Sequence, residues 1–126
     1  MKRIRIHVLL LIGLSFASAA AAMDRWAALS MIESGNDDRA VGSSGEITRF
    51  QIRHELWAGG DPRDVQIALS TAQNIMRLRL DAFEHTHKRT PTDFEFYVLW
   101  NAPLQVNHPS VAVTDRASRF VNLVRR

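Results

Sequence analysis

The chain has 126 residues, no cysteine, 16 basic and 13 acidic residues. That size allows one small domain whose core must hold without disulfides, and the missing cysteine excludes a lipid-anchored lipoprotein. Lys2, Arg3 and Arg5 supply three of the 16 cations and leave 13 against 13 acids, which speaks against a nucleic-acid protein carrying a basic patch in its folded domain.

The chain opens on basic residues from Met1 to Arg5. An apolar run from Ile6 to Phe16 follows, broken by His7, Gly13 and Ser15, and then small residues from Ala17 to Ala22. This order is that of a secretory signal peptide. The expected organisation is a leader over residues 1–22 and one domain over residues 23–126. Cleavage can fall after Ala19, Ala20 or Ala22; the last removes 22 residues and leaves 104. The apolar run is shorter than the ~20 residues of a membrane span. The expectation is therefore an exported protein, periplasmic or extracellular, with no stable membrane anchor after cleavage.

Met23 to Glu33 reads as a helix capped by Asp24 and stopped by Gly35 and Asn36. Asp37 to Gly45 is rich in turn residues. Glu46 to Ile52 alternates polar and apolar side chains and predicts a short strand or hairpin. Asp61-Pro62 predicts a helix start, with Val65, Leu69, Ala72, Met76, Leu80 and Phe83 as its buried stripe to about Glu84. Thr92-Asp93-Phe94-Glu95 is a capping box that opens another helix ending at Pro103. After a loop from Asn107 to Ser110, a last helix near Thr114 carries Ala117, Phe120, Val121 and Val124 on one side. The expected fold class is α+β, mostly helical, with one small β-hairpin.

Glu33 carries the functional reading. A carboxyl group that protonates a leaving oxygen near neutral pH needs a raised pKa, which an apolar and partly dehydrated setting provides. Met31 and Ile32 precede Glu33, and a loop follows it. On composition alone a solvated surface glutamate is the default.

The ordered set Glu33-Ser34, Asn36, Ala40-Val41, Gly45 and Gln51-Ile52 resembles the catalytic half of the transglycosylase SLT domain, the lysozyme-like family of lytic transglycosylases. Trp100-Asn101-Ala102-Pro103 is similar to that family's later Tyr-Asn-Ala-Gly segment, and Ala117 to Leu123 to its closing helix. The chain departs from the pattern at Glu46, Thr48, Phe50, Trp100 and Pro103. The resemblance implies a lysozyme-like fold with the hairpin beside a cleft. It also implies an enzyme cleaving the bond between N-acetylmuramic acid and N-acetylglucosamine in peptidoglycan. Glu33 would be the single acid/base, the products would carry a 1,6-anhydro ring, and no metal or cofactor would be needed.

Two alternatives stay open. Glu46 can position a water and make the enzyme a hydrolase of the lysozyme or chitinase kind, or it can be a hairpin residue paired with Arg49 or Arg53. The chain can also be a non-catalytic glycan-binding module. Ser34, Glu46, Gln51, Tyr97, Trp100 and Asn101 are the candidate substrate-binding residues, with packing as the alternative for Tyr97 and Trp100 and a local backbone bond for Ser34. Trp26 and Trp57 read as core or cleft edge. His85-Thr86-His87 has too few ligands for a zinc site and reads as a solvated helix end. The expected partner is the peptidoglycan glycan strand, bound by a monomer. The expected organisation includes no separate wall-binding module, so a housekeeping remodelling enzyme and dependence on a targeting partner of unknown identity both stay open.

Overall fold

The structure, a computed structural model, describes residues 21–125. The expected leader falls almost wholly on residues 1–20, outside the described residues. Four helices account for most of the domain: α1 (Arg25–Ser34), α2 (Val65–His87), α3 (Asp93–Asn101) and α4 (Val111–Val124). Short 3-10 turns lie at His54–Leu56 and Pro103–Gln105. The chain is thus mostly helical, in line with the sequence pattern.

Local chemistry sets the helix ends. Asp24 accepts from the Trp26 and Ala27 N–H groups at 2.9 Å, and Gly35 closes α1 with φ of 67°. A glycine takes that left-handed conformation without the penalty of a Cβ. At α3 the Thr92 hydroxyl accepts from Glu95 N–H, while the Glu95 carboxylate accepts from Thr92 N–H, completing the reciprocal box. Ser110 caps α4, which begins at Val111, three residues before the expected Thr114.

Helix α2 starts later than Asp61-Pro62 predicted. Asp61 instead closes a turn by accepting from Arg63 N–H at 3.0 Å. Asp64 is the residue that accepts from Gln66 and Ile67 N–H and so caps the helix. Val65 consequently sits exposed at the first turn, and the buried stripe is Ala68, Ala72, Met76 and Phe83, with Leu69 and Leu80 partly covered.

Helix α3 is the core. Five successive residues, Phe96 to Trp100, are buried, so the helix is covered all round, as only a central helix can be. It packs on α4 and α2, and α1 packs on α4. Phe96 stacks on Phe120 at 5.8 Å between ring centres, Tyr97 tilts against Phe120 at 5.5 Å, and Trp26 meets the Phe96 edge at 5.6 Å. Arg25 ties α1 to α3 through Asp93 at 2.8 Å and covers the Phe96 ring at 4.8 Å.

The segment expected as a hairpin is built differently. Ile47 forms isolated antiparallel bridges with Val41 and with Ile52, and no ladder of two or more pairs develops among the described residues. Thr48 and Gln51 have φ of 67° and 50°, outside the extended region that a strand requires. The reversal between them drives Phe50 and Ile52 into the core, where Phe50 meets the edges of Trp26 and Trp100 at 6.3 and 6.4 Å. Arg49 pins the loop through two bonds to Asp38, at 2.6 and 2.9 Å.

Candidate active site

Glu33 occupies the last turn of α1, and its side chain is only 6 % exposed. The carboxylate reaches the wall of an open cleft of about 800 Å³. Two other helices meet it there. From α3, the Tyr97 hydroxyl donates to Glu33 Oε1 at 2.6 Å. From α4, Arg116 Nη2 approaches Oε2 at 3.5 Å. Tyr97 is fully buried, so its hydroxyl serves Glu33 and does not reach into the cleft.

Burial is the main influence on this carboxyl and raises its pKa above the ordinary 4.5. The Tyr97 bond and the Arg116 charge act in the opposite direction, and the Glu46 charge raises it further. The net result is upward, because desolvation penalises the ionised form more than these two partners stabilise it. Burial, followed by the neighbouring Glu33 charge, pushes the Tyr97 phenol well above its ordinary value. Tyr97 therefore remains a hydrogen-bond donor across the working pH range. The arrangement provides a carboxyl group of raised proton affinity at a cleft surface, held by a fixed donor, which is the equipment of a general acid.

The structure brings four further candidates to the same cleft: Glu46, Gln51, Trp100 and Asn101. Glu46 Oε2 accepts from Ser44 N–H at 3.2 Å. The alternative of an ion pair from Glu46 to Arg49 or Arg53 is not met within 4.0 Å, and Arg49 is engaged by Asp38 instead. Gln51 donates through Nε2 to Thr48 O at 2.9 Å, which fixes its amide orientation. Gly42 runs directly beneath both side chains, and any Cβ there would overlap Glu46 Oε2 and Gln51 Oε1. Trp100 is mainly a core residue with one edge on the cleft, and Asn101 ends α3 at the cleft wall.

Ser34 does not join them. Its hydroxyl donates to Arg49 O at 2.8 Å and accepts from Asp37 N–H at 3.0 Å, tying the end of α1 to the loop. Ser34 therefore supports the loop and touches no cleft surface. Trp26 is packed against the core. Trp57 is partly buried against it, with its indole N–H unpartnered. His87 is more than a solvated end: it stacks on Phe83 at 4.0 Å and contacts Asn107 Oδ1 at 3.2 Å. Among the described residues no group of three or more His, Cys, Asp or Glu side chains can hold a metal ion.

Three arginines of the cleft, Arg53, Arg79 and Arg116, had no distinguishing motif in the sequence. Arg116 meets Glu33 across 83 positions, a separation no local spacing rule covers. No helix among the described residues is long and apolar enough to cross a membrane. No protein-family profile, curated protein or solved structure matches the chain.

Proposed function

We propose that this protein is a lysozyme-like enzyme that cleaves peptidoglycan glycan strands as a lytic transglycosylase, with Glu33 as its single acid/base. The observation that carries the reading is the Glu33 carboxyl itself, buried at a cleft wall with a raised pKa and held by Tyr97. The ordered residues Glu33-Ser34, Asn36, Ala40-Val41, Gly45 and Gln51-Ile52, together with Asn101-Ala102, add support by their resemblance to the family. The bridged loop over residues 41–52 would stand where the family carries its hairpin.

In this reading the protonated Glu33 donates to the glycosidic oxygen between N-acetylmuramic acid and N-acetylglucosamine as that bond breaks. The substrate's own acetamido group stabilises the positive charge left on the muramoyl ring. Glu33, now ionised, takes the proton from the 6-hydroxyl, whose oxygen closes the 1,6-anhydro ring. The catalyst returns to its starting protonation state, and no water is consumed. Tyr97 and Arg116 matter in the second half, since both stabilise the ionised carboxylate that burial alone would disfavour.

A hydrolytic route through Glu46 is the second reading. It is favoured by one observation: Glu46 lines the same cleft and its charge acts on Glu33. The direct test of catalysis is release of soluble fragments from purified cell-wall sacculi. The wild-type protein should release them and Glu33→Gln should not. Equal release by both proteins would remove Glu33 from the chemistry.

A further inference from the structure

Arg53, just before the turn at His54–Leu56, and Arg79, on α2, line the same cleft as Glu33 and Arg116 but take no part in that pair. Neither has a carboxylate within 4.0 Å among the described residues. The ion pairs there belong to Arg25, Arg49, Arg63, Arg89, Arg116, Arg119 and Arg125. Arg79 is half-buried, and its Nη1 donates to Leu99 O at 2.9 Å and Trp100 O at 2.7 Å. Those two bonds use one of the three guanidinium nitrogens and anchor the group against the end of α3. Arginine stays charged under all working conditions and presents its donors as a rigid fork. The remaining Arg79 donors are thus held in place at the cleft without an anionic partner.

Arg53 brings a second cation to the same cleft. Burial, and after it the Arg53 charge, lowers the Arg79 pKa from the ordinary arginine value, so the two guanidinium groups sense each other. Two like charges lining one cleft, with no carboxylate pairing either, cost free energy that a bound anion would recover. Glu55 also lines the cleft yet forms no ion pair with either arginine within 4.0 Å. A neutral polysaccharide can accept hydrogen bonds from this pair but brings no charge to offset it. A glycan bearing carboxylates would.

We propose that Arg53 and Arg79 form an anion subsite that takes a carboxylate of an acidic glycan strand and so selects peptidoglycan over neutral chitin-like polymers. The assignment deepens the proposed function and rests on it for the identity of the glycan. The shared chemistry is a carboxylate, which peptidoglycan offers in two places: the lactyl group of a muramoyl residue without its peptide, and the free carboxylates of the stem peptide.

The test measures binding by calorimetry in the Glu33→Gln background, where turnover does not interfere. Three ligands are used: glycan strands with stem peptides, strands stripped of peptides by an amidase, and chitohexaose. Arg53→Gln is the main variant, because Arg53 is exposed and makes no bond whose loss would disturb folding. Arg79→Gln is the second, with its thermal melt recorded to check the end of α3. Losing a charge-assisted contact should reduce the ratio of carboxylate-bearing to chitohexaose affinity about tenfold in Arg53→Gln. The preference should also shrink as salt is raised. A lost preference on stripped strands assigns the lactyl carboxylate; a loss confined to peptide-bearing strands assigns the stem peptide. An unchanged ratio, a wild-type site with no preference, or no binding to any of the three overturns the subsite. Absence of catalysis by the wild-type enzyme, with the preference intact, would count against the transglycosylase reading and leave the subsite standing.

Discussion

Replacing Tyr97 by Phe isolates how the site sets the proton affinity of Glu33. The ring is fully buried against Phe120 at 5.5 Å, so phenylalanine keeps the packing and removes one hydroxyl. That hydroxyl donates to Oε1 at 2.6 Å. A hydrogen bond to a charged group contributes ~1.5–3 kcal/mol and one to a neutral group ~0.5–1.5 kcal/mol, so the ionised carboxylate loses about 1 kcal/mol more than the acid. That difference is a factor of about five in the ratio of protonated to ionised Glu33. The sign follows from the bond itself, which lowers the Glu33 pKa in the wild type; its loss lets the acid hold its proton to higher pH. The assay is the pH profile of fragment release from sacculi, wild type beside Tyr97→Phe. The alkaline limb, where Glu33 deprotonates, should move upward in the variant. An unmoved limb, or one displaced to lower pH, would refute the role given to Tyr97.

The same logic gives Glu46→Gln the opposite sign, because Glu46 raises the Glu33 pKa: the alkaline limb should move to lower pH while anhydro products persist, and reducing-end products that vanish in this variant would instead mark a hydrolase. Glu33→Gln should be more stable than wild type at neutral pH. With the folded value raised above the ordinary 4.5, the unfolded chain ionises first and the wild type loses stability as pH rises from there through the folded value; thermal melts should therefore show the variant's advantage growing from acid to neutral pH. Thr48→Val should stabilise the fold by ~1 kcal/mol in urea unfolding, because the Thr48 hydroxyl is buried without a partner and a methyl group carries no desolvation penalty. Phe120→Ala, which empties a fully buried position between Phe96 and Tyr97, should cost ~3–5 kcal/mol in the same measurement.

The helices were legible wherever a side chain caps its own backbone. Asp24, Gly35 and the Thr92–Glu95 box each act within three or four residues, so spacing alone identifies them. Asp61-Pro62 misled because Asp64 offers the same capping chemistry three residues later, and only packing of Ala68 and Ala72 chooses between them. The strand reading of Glu46 to Ile52 failed at Thr48 and Gln51. A β-branched residue rarely accepts positive φ, and nothing in its neighbours announces that Phe50 must turn inward. Glu33 and its cleft companions Gln51 and Asn101 could be picked out by their ordered residue pattern. Arg116 and Arg79 could not, since each meets the site through a helix brought back from far along the chain.

Mass spectrometry of the fragments that the protein releases from purified peptidoglycan, with Glu33→Gln measured beside the wild type, decides whether Glu33 closes an anhydro ring. The wild type should release 1,6-anhydro products about 18 Da lighter than hydrolytic ones, since ring closure retains no water, and the variant none. Reducing-end products from the wild type, or anhydro products that persist in Glu33→Gln, would contradict that role.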